Sequence, residues 1–207
     1  MVSMHRLSLM LSLVLLPFVA GVAFGDPLLR TGQRKCWDAA GTIVPCAGTG
    51  QDAETHKGAR RAYVNNGNGT ITDSVTGLVW EKLDDAGGIH DIDNTYSWTT
   101  AFSDKIAKLN KAPCFAGHCD WRLPNANELQ DIVDYGRTLL AIHPVFTAPC
   151  PPGCSIATCS CTNTDIYWTS TTYQAYLDVA WVVSFVYGYG GGADKTEFHY
   201  VRAVRGG

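Results

Sequence analysis

The chain has no surplus of basic charge, no internal repeat, no Gly-x-y period and no low-complexity linker. Each absence excludes a class. With 16 Lys and Arg against 19 Asp and Glu, nucleic acid is not an expected partner, because its phosphates call for a basic surface. Without repeats or linkers, a solenoid, a collagen-like rod or a string of domains is excluded. Neither a GxSxG elbow nor an HExxH pair is present, which removes two common hydrolase signatures. His56, His90, His143 and His199 stand without an obvious nucleophile beside them. No catalytic residue and no cofactor are expected, and the chain reads as a non-enzyme.

Long apolar runs are also absent, with one exception at the start. His5 and Arg6 precede a largely apolar run from Leu7 to Phe18, and Ala23-Phe24-Gly25 follows. This is the pattern of a secretory signal peptide over 1–25, cleaved before Asp26. An uncleaved anchor would need a similar length of apolar chain, but Pro17 and the small residues after it favour cleavage. No Cys follows closely enough for a lipid anchor. Cleavage would leave 182 of the 207 residues, with 15 basic against 19 acidic side chains. Residues 26–207 are the size of a single domain, secreted or periplasmic, with no stable membrane insertion once the signal is removed.

What the chain does have is cysteine. All eight lie after the signal: Cys36, Cys46, Cys114, Cys119, Cys150, Cys154, Cys159 and Cys161. An even number behind an export signal points to disulfides. The spacing suggests Cys36 with Cys46, Cys114 with Cys119, and two bridges within Cys150–Cys161. Zinc held by Cys114, His118 and Cys119, or by the later four Cys, is disfavoured because no CxxC knuckle is present. No metal is expected.

Short β-prone runs at Arg61–Val64 and Thr70–Thr72 flank Asn65-Asn66-Gly67-Asn68-Gly69, a hairpin turn in which Asn and Gly accept positive φ. A turn at Ser74–Gly77 leads into a strand at Leu78–Trp80. Trp98, Ala101, Phe102, Ile106 and Leu109 predict a helix over 97–110, with Ser97 as its cap. Asn125 and Glu128 form a capping box before the apolar stripe Leu129, Ile132 and Val133, with Gly136 as the stop. Residues 137–165 predict a long loop held by disulfides. Strands are expected at Tyr167–Thr171, Ala180–Tyr187 and Phe198–Val204, with Gly188–Gly192 turning the second into the third.

This α+β order, two helices and a long loop among small antiparallel sheets, resembles C-type-lectin-like domains. Six motifs are more specific: Gly48-Thr49-Gly50-Gln51-Asp52, the Asn-Gly-Asn-Gly-Thr hairpin, Thr76-Gly77-Leu78-Val79-Trp80, Asp120-Trp121-Arg122-Leu123-Pro124, Tyr167-Trp168-Thr169-Ser170-Thr171 and the Val201–Gly207 ending. Together they resemble the family named for the C-terminal domain of the Legionella collagen-like adhesin, over about Cys36 to Gly207. The resemblance implies an exported bacterial domain, in some members an adhesion module for sulfated glycans. Asn68 stands where the family's hairpin usually carries Asp. Calcium at Asn66, Asn68 and Asp73 is disfavoured, since one carboxylate is too little charge.

The expected ligand is a glycan or a protein surface. Trp80, Trp98, Trp121, Trp168 and Trp181 fall mostly in core stripes. Tyr173, Tyr176, Tyr187 and Tyr189 flank turns, and Tyr173, Tyr187 and Tyr189 with Arg122 are the candidate ligand-binding residues. Arg122, Arg202 and Arg205 could instead pair with carboxylates such as Asp120 or Glu128. An enzyme acting on cell-envelope material and a structural subunit of a surface assembly are the alternative readings.

Overall fold

The computed structural model describes residues 28–147 and 149–207. The expected signal peptide, and the cleavage site before Asp26, lie outside the described residues.

The chain opens with a small hairpin, β1 (Cys36–Trp37) and β2 (Ile43–Val44), closed by the Cys36–Cys46 disulfide. A single helical turn, α1 (Asp52–Thr55), follows. The expected Asn-Gly hairpin is present as β3 (Tyr63–Asn65) and β4 (Thr70–Asp73), paired antiparallel with Asn65 opposite Ile71. Its polar side chains serve the turn itself. The Asn66 amide donates to Thr70 and Thr72, and the Thr70 hydroxyl donates to Asn68. Asp73 is buried and accepts from the Val75 amide at 2.9 Å, which fixes the next turn. β5 (Val79–Glu81) continues this sheet.

After β6 (Thr95–Tyr96), α2 (Trp98–Thr100), a π-helical segment (Ala101–Ile106) and α3 (Ala107–Leu109) run on from one another. Ser97 caps this helix as expected, accepting from the Thr100 amide. At its far end, Asn110 exchanges two bonds with the backbone of Trp121, at 2.7 and 2.9 Å. The Asp120–Pro124 motif is thereby tied to the helix, and Arg122 then pairs through its backbone with Val204 at 2.8 and 2.9 Å. This one segment joins the helix, the terminal strand and the second capped helix.

That second helix, α4 (Ala126–Asp131), has the full capping box between Asn125 and Glu128. It stops at Ile132 rather than at Gly136. Gly136 instead makes room for the N-terminal arm, since a Cβ there would sit 2.3 Å from the carbonyl oxygen of Gly32. Among the described residues of the 137–165 stretch most are irregular, with a 3-10 turn at Pro144–Phe146. It is stapled by Cys150–Cys161 and Cys154–Cys159, and Cys114–Cys119 completes the four disulfides.

The C-terminal third departs most from the sequence expectation. β7 (Ile166–Thr172) and β8 (Val179–Ser184) are near their expected places. The Gly188–Gly192 stretch is not a turn. It lies mostly within β9 (Tyr189–Asp194), paired along all of β8, and the reversal occupies 185–188. Glycines have low strand propensity, so the pairing is decided by β8. Phe198–Val204 is likewise not one strand. It divides into β10 (His199–Tyr200), beside β6 and β7, and β11 (Val204–Arg205), beside β5. The chain changes sheets here. The sheets are β6-β10-β7-β8-β9 and β11-β5-β4-β3, with β1-β2 apart.

Two apolar clusters form the core. Leu129, Ile132, Val133, Phe146, Tyr167, Val183 and Phe185 pack together between α4 and one face of the larger sheet. Ile106, Leu109, Trp121, Trp168, Ala180, Val182 and Ala193 fill the space on its other face, beneath the 98–109 helix. The alternation of Val182 and Val183 between the clusters follows from the two-residue period of a strand.

Candidate functional site

The end of β7 and the start of β8 are joined by a tight reversal. Tyr173 donates to Val179 at 2.9 Å, Val179 to Tyr176 at 3.0 Å and Tyr176 to Tyr173 at 3.1 Å, all through backbone groups. Lys195 clamps the reversal from the side. Its ammonium donates to the Thr172 hydroxyl and the Leu177 carbonyl at 2.9 and 2.8 Å, and lies 4.1 Å from the Trp98 ring centroid. A cation fixed in this way adds a cation–π attraction to two hydrogen bonds.

The reversal displays a short aromatic row. Tyr173 and Tyr176 are nearly parallel, at 14° with centroids 6.0 Å apart, and Tyr173 meets Trp181 at 4.9 Å. Tyr176 is 65% exposed and neighbouring Leu177 66%. Trp181, grouped with the core tryptophans by sequence, is only partly buried, whereas Trp80, Trp121 and Trp168 are buried. Its cross-strand partner is Gly192, which has no side chain to cover the indole. A Cβ on Gly192 would lie 2.9 Å from Val179 and 3.8 Å from Tyr173. β9 is an edge strand of its sheet, so this row borders a sheet edge.

The structure separates the tyrosines that the sequence grouped. Gly192 lies beside Tyr173, while Tyr189 reaches over Gly191, one residue along and on the opposite face of β9. Tyr187 sits in the 185–188 reversal, 65% exposed. Tyr176 and Trp181 are the residues Tyr173 does meet. The signal for Trp181 was the glycine run itself, legible only once β9 is known to pair with β8.

Arg122, Arg205 and Arg202, the three arginines singled out by the sequence, bond within the fold. Arg122 makes a bidentate pair with Glu128, 2.7 Å for each bond, and also donates to the Gly206 carbonyl. Hydrogen bonding to Glu128 raises the Arg122 pKa; burial would raise that of Glu128, but the bonds from Arg122 and the Asn125 amide hold it below its usual value. Arg205 pairs with Asp120 at 2.8 Å. Arg202 is fully buried and donates to the carbonyls of Glu81 and Cys161 and to the Thr162 hydroxyl.

Glu81 is also fully buried, with Lys105 at 2.5 Å, His90 at 2.7 Å and the Ala203 amide at 3.0 Å. Elsewhere, carboxylate oxygens of Asp85, Asp91 and Asp93 lie within 4.8 Å of one another, a donor set of the oxygen type that suits a hard cation. Asp91 already spends both oxygens on the Gly87 and Asp93 amides. The sulfurs of Cys150, Cys154 and Cys161 also lie close together, but each is in a disulfide and is no thiolate ligand.

Residues 69–205 match the family model described as the Lcl C-terminal domain. The match begins inside the Asn-Gly hairpin and ends in β11, so it includes three of the six sequence motifs in full and part of two. It leaves out the Gly48–Asp52 motif and the Cys36–Cys46 hairpin. No curated protein matches the sequence. Among the described residues, no helix is long and apolar enough to cross a membrane.

Proposed function

Since the chain belongs to the Lcl C-terminal domain family, we propose that it is a surface-associated, exported binding module, and that it recognises a glycan through the row formed by Tyr173, Tyr176 and Trp181. The single observation behind this is the row itself: two stacked tyrosines and a partly exposed tryptophan, opposite a glycine with no side chain to cover the indole. Aromatic rings offer apolar faces with a polar rim at low entropic cost. The faces of sugar rings carry C–H bonds and their edges hydroxyls, which suits such a row. The turn is braced by Lys195 and by its own backbone bonds, so little order is lost on binding.

Four disulfides support residence in an oxidising compartment, secreted or periplasmic. The element order supports a C-type-lectin-like arrangement. A binding role rather than catalysis is supported by the way the buried charges are used: Glu81 accepts from Lys105 and from the Ala203 amide, and Arg202 donates to the Glu81 and Cys161 carbonyls.

A glycan array probed with the oxidised protein tests the reading, followed by titration of any hit. Replacing Tyr176 or Trp181 by Ala should weaken the interaction about tenfold or more, as expected for losing one stacking contact plus its buried area. Tyr187→Ala and Tyr189→Ala, away from the row, should leave it nearly unchanged. An array without hits, or hits indifferent to Tyr176 and Trp181, would refute the glycan site.

A further inference from the structure

A cavity of about 370 Å³ lies apart from the aromatic row and shares no residue with it. It is lined by Arg30, Arg34, Arg60, Arg61, His143 and Asp134, with Thr31, Gly32, Gln33, Asp52 and His56 completing the wall. None of these side chains is apolar. Such a volume falls within the usual range for small-molecule sites, but the lining suits only a hydrophilic ligand.

The wall is built by an N-terminal arm laid across the domain. The Arg30 amide donates to the Ala59 carbonyl at 2.9 Å, the Ala59 amide to the Leu28 carbonyl at 2.8 Å, and the Tyr135 amide to the Thr31 carbonyl at 2.8 Å. Gly32, at φ 92°, comes so close to Asp134 that a Cβ would lie 2.0 Å from its carboxylate. The arm and residues up to 61 precede the family match, whereas Asp134 and His143 lie inside it. The cavity therefore forms between the family domain and the chain that comes before it.

Its charge is unbalanced. The protein as a whole carries a net charge of −3, yet four guanidinium groups meet two carboxylates here. The carboxylates are occupied elsewhere: Asp52 accepts from the Thr31 hydroxyl, and Asp134 from the Gly136 amide at 2.9 Å. Among the described residues, none of the four arginines has a carboxylate within ion-pair distance. Arg61 donates to the Val133 carbonyl, but its Nε and Nη1 are buried without a partner among the described residues. A desolvated cation of this kind creates a strong local field, because the protein screens less than water. His143 adds a donor. Its Nδ1 accepts from the Val145 amide, which places the proton of the neutral ring on Nε2.

We propose that this cavity binds a small multivalent oxyanion, a carboxylate or phosphate ligand held by Arg34, Arg60 and the field of Arg61. The planar guanidinium matches the paired oxygens of both groups. The site is independent of the aromatic row, so either can fail alone.

Isothermal titration and thermal melts of the oxidised protein with citrate and with inorganic phosphate, against sodium chloride at matched ionic strength, provide the test. Saturable binding of citrate, of phosphate or of both, with a raised melting temperature, is the expected result, and the stronger of the two identifies the preferred group. Arg34→Gln and Arg60→Gln, both at exposed positions, should each weaken that binding about tenfold, and Arg60→Lys less. Failure of both anions to bind the unmutated protein above the chloride control would overturn the proposal. So would binding that Arg34→Gln and Arg60→Gln leave unchanged.

Discussion

Lys105 Nζ lies 2.5 Å from Glu81 Oε1, with the two side chains 1% and 0% exposed. The lysine comes from the helix over 98–109 and the glutamate from β5, so the pair joins a helix to the smaller sheet. Removing one partner leaves a buried charge without compensation, which typically costs about 3–5 kcal/mol. Lys105→Met should destabilise the protein by this order in urea melts. The double variant Lys105→Met/Glu81→Gln should recover part of the loss, and a double variant no better than the single would show that charge is not what matters there.

The same pair sets an acid limit. Burial alone would raise the Glu81 pKa, but the charge of Lys105 and the hydrogen bond from His90 prevail and hold it at about 2, below its usual 4.5. A depressed carboxylate stabilises the fold fully above its unfolded pKa. That contribution is lost as pH falls through the folded value. Stability should therefore decline between about pH 4.5 and 2, and the decline should flatten in Glu81→Gln. A pH series of urea midpoints reads this directly.

Trp121 is 2% exposed, donates its indole N–H to the Phe115 carbonyl at 3.0 Å and packs on Phe115 at 4.9 Å. Trp121→Ala should cost about 3–5 kcal/mol, the range for a large core side chain. A melting temperature close to that of the unmutated protein would contradict its core role.

Mass spectrometry of the unreduced protein should find four disulfides and no free thiol, as the described cysteines are all paired. The bridges span 10, 5, 11 and 5 residues. Short loops place each contribution at about 2–3 kcal/mol, the lower part of the usual range. Reduction should hence lower the urea midpoint without a ligand being present, and an unchanged midpoint would deny the bridges a structural part.

Gly192→Val should act on the aromatic row without replacing any of its rings. The added side chain would press on Val179 and crowd Tyr173, and overpacking commonly costs about 1–3 kcal/mol. Trp181 fluorescence should shift, and affinity for any glycan found should fall. An unperturbed spectrum would mean that the row does not depend on the bare strand.

The sequence alone determined what rests on short-range chemistry. The Asn-Gly hairpin, the Ser97 cap and the Asn125–Glu128 box each need partners within a few residues, and all three formed as their residue types require. The disulfides paired locally for the same reason, and the motifs carried the family. Other features had no local signature. Gly190–Gly192 offers no side-chain period, so its strand exists only because β8 presents a row of backbone groups to pair with. Phe198–Val204 reads as one strand, yet its two ends bond to different sheets, a choice made by packing across the core. Arg61 and His143 stand far apart along the chain, and only the arm that crosses Asp134 and Gly136 gathers them into one charged cavity. Side-chain alternation reports which face is buried, but not which strand, arm or loop will lie against it.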